Sequence, residues 1–372
     1  MKNIRRYLYG QVMADLKKKM VFVAGPRQVG KTTMARTMLP GPEGYLNWDI
    51  RRHRDLILRE EWPAVPLLVL DEVHKFRKWR NMLKGLFDQY RGKMRILVTG
   101  SARLDYYRFG GDSLQGRYHL LHLYPLSVAE LGLRTPREFN ELLSLGGFPE
   151  PYYGGSQAGA RRWSREYRSR LLEEDLRDLE SIHDIGSLEQ MMIRLPDLVG
   201  SPLSINSLRE DLQLNHRTVA RWACILERIY AIFRLPPLGA PRIRAVKKEQ
   251  KHYHLDWTLP PKDAQRFENL VAVHLKKWVE LESDARGREL ELRYFRDVQG
   301  REVDFVIVEN RRPVRFIECK WGDEEVQPAL RYARERFPEA DFWQISAAGT
   351  RDYHTAGGIR VCPALTLLSQ LA

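Results

Sequence analysis

Three features predict an α/β chain, with a parallel-sheet domain first and a second α/β domain last. The run Gly25-Pro26-Arg27-Gln28-Val29-Gly30-Lys31-Thr32-Thr33 follows the apolar stretch Met20 to Ala24. Leu67-Leu68-Val69-Leu70 is a continuous apolar run ending in Asp71-Glu72, the pattern of a buried parallel strand that delivers acids to its carboxyl end. Towards the other terminus an apolar-faced helix precedes two alternating runs, Glu302 to Val308 and Val314 to Lys320, joined by the polar turn Asn310 to Pro313. At 372 residues the chain exceeds what one core usually supports. Composition and turn signals divide it into regions 1–135, 136–195, 196–260 and 261–372.

The bulk composition excludes several classes. Lys and Arg number 61 against 48 Asp and Glu, a net charge of +13 that suits an anionic partner such as nucleic acid. Three widely spaced cysteines, Cys224, Cys319 and Cys362, argue against a disulfide framework and show no zinc spacing. Met1 to Gly10 lacks an apolar signal core, and no stretch reaches the length of a membrane span. The expectation is a soluble, cytoplasmic protein with no membrane partner.

The first third carries the clearest chemistry. A glycine-rich loop between a strand and a helix turns backbone N–H groups toward the β- and γ-phosphates of a nucleotide. Residues 25–33 form that loop: Lys31 neutralises phosphate charge and Thr32 offers a hydroxyl to Mg²⁺. The cofactors expected are therefore ATP and Mg²⁺. Asp71 would hold the ion, directly or through water, and Glu72 would polarise the attacking water. A third apolar run, Ile96 to Val98, ends in Thr99-Gly100-Ser101, where a hydroxyl could touch the γ-phosphate or the water; Ser101 is favoured over Thr99. Asp49, after the short strand Tyr45 to Trp48, reads as a turn residue. Arg117, before the strand Tyr118 to Leu123, is the candidate for an arginine that stabilises the transferring phosphoryl group, with Arg103 as runner-up.

At these residues the chain resembles the AAA+ superfamily. More closely, it resembles a prokaryotic family of AAA+-like ATPases that append a helical and winged-helix region and a nuclease-like C-terminal domain. The resemblance rests on GPRQVGKTT at 25–33, LDEVHK at 70–75, TGSAR at 99–103, LQGRYHLLHLYPLS at 114–127 and GGFPEPY at 146–152. It implies a homo-oligomer, of which a hexameric ring is one form, with Arg117 reaching a neighbouring subunit.

In the middle, Arg161 to Arg194 reads as helical, with Leu171, Leu172, Leu176 and Leu179 on one stripe. Ser207 and Glu210 suggest a capping box opening a short helix through Leu212. Asn215 can cap a second helix through Thr218, Trp222, Leu226 and Ile229. That pair suggests helix-turn-helix geometry presenting His216, Arg217 and Arg221 to DNA. Arg242, Arg244, Lys247, Lys248 and Lys251 then cluster on a strand pair ending in His252 to Leu255, a basic wing for the phosphate backbone.

In the last third, the helix from about Ala264 to Leu281 places Glu268 at the margin of its apolar face, a costly position for a carboxylate without a cation. Strand alternation puts Glu318 and Lys320 on one face and Cys319 on the other. If the hairpin sets Asp304 against Glu318, two carboxylates and a lysine converge, and Mg²⁺ held there would polarise a phosphodiester. The set Glu268, Asp304, Glu318-x-Lys320 resembles the PD-(D/E)xK nucleases, with Val303 where their motif has proline. That resemblance implies a restriction-endonuclease-like C-terminal domain, with Gln327 on the next helix as a possible assistant. Two functions follow. One is an ATP-hydrolysing DNA-processing protein with a Mg²⁺-dependent nuclease-like domain; the alternative is a nucleotide-gated binding module whose nuclease-like domain does not cleave.

Overall fold

A computed structural model describes residues 4–101, 104, 114–176, 184–239 and 250–371. The chain divides into two compact units, Met1–Tyr124 and Pro125–Ala372.

The first unit is built on five parallel strands: β1 (Met20–Ala24), β2 (Tyr45–Asn47), β3 (Leu67–Asp71), β4 (Arg95–Thr99) and β5 (Tyr118–His122). They lie in the order β2-β3-β4-β1-β5, so β4 separates β1 from the acid-bearing β3. Every residue of β1 and β3 is buried, as continuous apolar runs demand when helices cover both faces. Among the described residues, four α-helices accompany the sheet: α1 (Tyr9–Asp15), α2 (Lys31–Thr37), α3 (Arg51–Arg59) and α4 (Trp79–Tyr90). Leu68, Leu70, Ile96 and Val98 from adjacent strands pack with Trp79, Leu83 and Leu86 of α4, and Phe22 stacks on Tyr118 at 4.3 Å between ring centroids.

Parallel register lines up the functional ends. Asn47 pairs with Asp71 and Asp71 with Thr99, so three polar side chains close three neighbouring strands in a row. Ligands of open α/β sheets gather at this carboxyl edge.

The second unit begins with short helices, α5 (Val128–Leu131), α6 (Pro136–Leu145), α7 (Pro149–Gly154) and α8 (Gln157–Arg170), the last running into a π-turn over Leu171–Leu176. Next come α9 (Ile185–Arg194), α10 (Ile205–Asp211) and α11 (His216–Arg228), then an antiparallel pair of β6 (Ile232–Leu235) and β7 (Lys251–His254). Asn215 caps α11 as expected, accepting from the Thr218 N–H at 2.8 Å. The cap of α10 differs: it is Ser204, whose hydroxyl accepts from the Ser207 N–H at 3.2 Å, so Ser207 lies inside the helix. The preceding Leu203 N–H bonds to Gln250, which fixes the chain's entry one turn earlier than the Ser207–Glu210 spacing suggests. Leu179 and the basic residues Arg242, Arg244, Lys247 and Lys248 lie outside the described residues, as does Arg103.

A 24-residue helix, α12 (Asp263–Arg286), precedes a mixed six-stranded sheet of β8 (Leu290–Arg296), β9 (Glu302–Glu309), β10 (Arg312–Lys320), β11 (Asp341–Ser346), β12 (Tyr353–His354) and β13 (Ile359–Pro363). Its order is β12-β13-β11-β10-β9-β8, with α13 (Pro328–Arg336) after β10 and α14 (Ala364–Leu368) at the end. Phe316 stacks on Phe342 at 4.8 Å in its core. The β9–β10 turn places Asn310 and Arg311 at φ of 47° and 67°, the left-handed pair that a two-residue hairpin turn requires.

One irregularity in this hairpin matters. The register shifts between Pro313 and Arg315: Pro313 pairs with Val308, but Arg315 pairs with Ile307. The bulge follows a strand proline, which cannot donate to a ladder. Beyond it, Ile317 pairs with Phe305, so the next position sets Glu318 opposite Asp304 on one face. Without the extra residue Glu318 would face Val303, and the two acids would point to opposite sides of the sheet.

Candidate functional sites

The phosphate loop leaves the end of β1 in a conformation that its glycines permit. Gly25 has φ of 143°, and a Cβ there would lie 2.3 Å from the Leu123 carbonyl oxygen. Gly30, at φ of 96°, is the N-cap of α2. The Lys31 side chain is buried and its Nζ donates to the carbonyls of Gly25 at 2.9 Å and Pro26 at 2.6 Å. The ammonium is thus folded back along the loop. Arg6 braces the loop from α1's side, donating to the carbonyls of Val29 and Tyr124. Gln28, Val29 and Thr33 complete the turn and the first helical residues.

Asp71, 2% exposed, organises the strand ends. Its Oδ2 accepts from Thr32 Oγ1 at 2.7 Å, Tyr45 Oη at 2.7 Å and Asn47 Nδ2 at 3.2 Å, while Oδ1 accepts from Thr99 Oγ1. Burial and the neighbouring Asp71 push the Tyr45 phenol upward, so Tyr45 stays a donor. The hydroxyl at the β4 tip that engages this cluster is Thr99, not the favoured Ser101, because the β3–β4 register sets Thr99 directly beside Asp71. Ser101 is buried two residues further on. Tyr45 and Asn47 escaped sequence reasoning, since their role depends on β2 pairing with β3.

Glu72 follows at φ of 56°. Its Oε2 lies 3.5 Å from His74 Nε2 and 3.7 Å from Lys75 Nζ, beyond hydrogen-bond reach of any described group. Burial raises its pKa, against the pull of Lys31 and Lys75, as suits a carboxylate that can accept a proton from water. Asp49 pairs with Lys75 at 2.6 Å on the surface, in keeping with a turn residue.

Arg117 stands elsewhere. Its carbonyl accepts from the Met20 N–H, which places it at the start of β1, whereas the phosphate loop leaves the end of that strand. Its guanidinium grips Asp88 of α4 in a two-pronged pair at 2.9 and 3.0 Å. Within its own protomer Arg117 is a partner of a helix carboxylate.

The fit to a nucleotide rests on the Gly25 cradle and on the donor set: a buried ammonium, a hydroxyl hydrogen-bonded to an acid, and a second acid beside them. Residues 17–132 match the sequence profile of the family described as an AAA domain. The N-terminal unit is an AAA-type P-loop ATPase domain. Beyond the AAA domain, residues 136–260 and 265–367 match two families described as domains of unknown function, DUF8612 and DUF4143. The chain is 25% identical over 328 residues to uncharacterized proteins of Mycobacterium tuberculosis and Mycobacterium bovis, covering 84% of this chain and 73% of each relative. Among solved structures, the Aeropyrum pernix Orc1 protein in complex with DNA shares 14% identity and a TM-score of 0.33, covering 71% of this chain and 90% of that one. Thermotoga maritima RuvB shares 17% identity and a TM-score of 0.27, covering 63% and 90%.

In the second unit, His216, Arg217 and Arg221 are all exposed on α11. Lys251 is not. The residue expected on a solvent-facing wing is 1% exposed, and its ammonium lies 2.7 Å from Glu302, 3.3 Å from Asp304 and 3.5 Å from Glu268. Alternation along β7 explains the correction: Lys251 and Tyr253 share the face toward these acids, and Tyr253 Oη donates to Glu268 at 2.7 Å. Burial opposes the Lys251 charge, but the three carboxylates outweigh it and raise its pKa. All four residues of β7 are buried, which the run of bases before Lys251 does not signal.

The expected acids do converge. Asp304 Oδ2 accepts from the Cys319 N–H at 2.9 Å, and Lys320 pairs with Glu318 at 3.0 Å. Burial raises the pKa of Glu318, with Asp304 adding to the shift, and its Oε2 has no hydrogen-bond partner among the described residues. Glu268 is raised by burial too; Gly200 packs so close that a Cβ there would lie 2.7 Å from its Oε2. Gln327 instead caps α13 and donates its N–H to Gln344.

Mg²⁺ does not fit this arrangement. The ion demands near-octahedral oxygens at about 2.0–2.1 Å. Here Asp304 spends Oδ1 on Lys251 and Oδ2 on Cys319, Glu268 faces Tyr253 and Lys251, and Glu318 is half committed to Lys320. Among the described residues no three acid, histidine or cysteine side chains are grouped to hold a metal.

Proposed function

We propose that the protein is an ATP-hydrolysing switch that acts on DNA as a homo-oligomer, and that its C-terminal domain binds without cleaving. The observation that carries the first part is the join of Thr32, Asp71 and Thr99 beside Lys31 and Glu72. Bound ATP·Mg²⁺ would supply the phosphoryl group to be cleaved. Lys31 would leave the Gly25 and Pro26 carbonyls for the phosphates, Thr32 and Asp71 would hold the ion, and Glu72 would take a proton from the lytic water. Thr99 would orient Asp71 through their hydrogen bond.

The position of Arg117 supports an oligomer. Standing at the far end of β1, it can serve a triphosphate only in another protomer, after exchanging Asp88 for phosphate. DNA binding is supported by the exposed, one-turn-apart Arg217 and Arg221 on α11 and by the net charge of +13. Lys251 within the acid cluster supports the non-cleaving reading over a Mg²⁺-dependent nuclease.

The test is ATP turnover with and without duplex DNA, paired with a Mg²⁺-dependent cleavage assay. Mixing Arg117→Ala with Glu72→Gln protomers should restore part of the turnover that each lacks. Cleavage by the wild type that is abolished in Asp304→Ala would overturn the non-cleaving reading.

A further inference from the structure

Four carboxylates meet near the start of β7 and the β9–β10 hairpin: Glu268, Glu302, Asp304 and Glu318. A domain that packs four partly buried acids together needs cations or protons among them, since an isolated buried charge is far costlier than a paired one. Among the described residues, three cations pair with these acids. Lys320 serves Glu318, Arg296 lies 3.6 Å from Glu302, and Lys251 stands among Glu302, Asp304 and Glu268. Lys251 differs from the other two in being 1% exposed and in reaching three acids at once. An ammonium has three donors, and each here has a carboxylate within 3.5 Å.

Its backbone is fixed as firmly as its head group. Lys251 opens β7, which pairs with β6, and Leu203 bonds to the preceding Gln250 carbonyl. Three residues on, the N–H of His254 donates to Asn269 Oδ1 and Asn269 Nδ2 returns a bond to the His254 carbonyl, locking β7 along α12 beside Glu268. The ammonium is therefore delivered to the acids by the fold itself.

We propose that Lys251 is the resident cation of this acidic centre, and that its ammonium holds the place among Glu268, Glu302 and Asp304 where a divalent ion would otherwise bind. The inference rests on the non-cleaving reading above and extends it: the cluster is a latent divalent-cation site that one lysine keeps closed. Replacing Lys251 with methionine keeps the length of the stem and removes the charge. That change removes the ammonium to which Glu268, Glu302 and Asp304 each present an oxygen within 3.5 Å.

The experiment titrates the full-length, nucleotide-free protein with Mn²⁺, following loss of the free-ion electron paramagnetic resonance signal. The wild type, titrated in parallel, sets the background from the phosphate-loop end of the chain. Lys251→Met is expected to gain one site at least tenfold tighter than any in the wild type, and adding Glu268→Gln is expected to abolish the gain. Should Lys251→Met fold only with Mn²⁺ present, the proposal is supported directly. Should it fail to fold in either condition, Lys251→Met/Glu302→Gln removes one charge of each sign and is titrated instead. A folded Lys251 variant that binds Mn²⁺ no better than the wild type overturns the proposal. So does a wild-type site of the same tightness that Asp304→Asn removes. Because no DNA is present, this failure is separate from the appearance of nuclease activity, which bears on the non-cleaving reading alone.

Discussion

Removing the Lys277 ammonium should destabilise the second unit severely, and removing its partner as well should rescue most of the loss. Lys277 Nζ donates to Glu130 Oε2 at 2.6 Å, Ser127 Oγ at 2.8 Å and the Pro125 carbonyl at 3.1 Å. The side chains of Lys277 and Glu130 are only 4% and 2% exposed, so the pair is dry. Breaking such a pair from one side strands a buried charge and costs about 3–5 kcal/mol, whereas replacing both members with apolar groups of similar volume is often neutral. Lys277→Met takes away the ammonium that Glu130 pairs with; Lys277→Met/Glu130→Leu removes both charges. Hydrogen exchange read by mass spectrometry on peptides covering 125–131 and 270–280 localises the effect. Protection should fall by about two to four powers of ten in the single variant, as 3–5 kcal/mol implies, and return to within about tenfold of wild type in the double. A single variant with unchanged protection, or a double variant as labile as the single, would refute the reasoning.

Three further outcomes are expected. Gly25→Ala places a methyl 2.3 Å from a backbone oxygen at φ of 143°, so it should abolish detectable ATP binding by calorimetry while the second unit's thermal transition is retained. Thr99→Val should slow ATP turnover by at least tenfold, and Ser101→Ala by less than threefold, because of these two hydroxyls it is Thr99 that bonds Asp71; the reverse order would assign Ser101 the role expected from sequence. Buried His274 has its pKa lowered to about 3 and His252 to about 4 by burial, with His254 also well below its usual value. These groups bind protons in the unfolded chain before the folded one, so their stabilisation is complete above about pH 6.5 and is lost as pH falls toward 4. His274 accepts from the Val128 N–H at 3.0 Å and donates to the Leu270 carbonyl at 2.8 Å, contacts that a glutamine amide can copy without titrating. His274→Gln should make stability fall less steeply between pH 6.5 and 4, by up to about 1.4 kcal/mol per pH unit, in denaturant titrations. The raised carboxyls of Glu268 and Glu318 act oppositely, stabilising at low pH and losing that contribution as pH rises through their folded values, so a matched Glu318→Gln control separates the two.

What could be read from the sequence was whatever is local. β1 is a run of five apolar residues and β3 a run of four ending in Asp71, and their limits match the structure because short continuous apolar runs bounded by turn signals suit buried parallel strands. Side-chain alternation likewise put Glu318 and Lys320 on one face. What escaped depends on pairing between distant segments. Thr99 reaches Asp71 through the β3–β4 register, and Arg117 found Asp88 across 29 residues. Lys251 was assigned to solvent because it ends a run of basic residues, yet Asp304 meets it 53 residues later. His274 and Lys277 read as ordinary positions on an apolar helix; their partners stand some 150 residues upstream.

The proposed ATP-hydrolysing switch stands most directly on Glu72. In a single-turnover assay with ATP and Mg²⁺, Glu72→Gln should bind nucleotide with wild-type affinity and hydrolyse it at least a hundredfold more slowly, while Lys31→Ala should fail to bind. Hydrolysis by Glu72→Gln at the wild-type rate, or saturable ATP binding by Lys31→Ala at wild-type affinity, would contradict it.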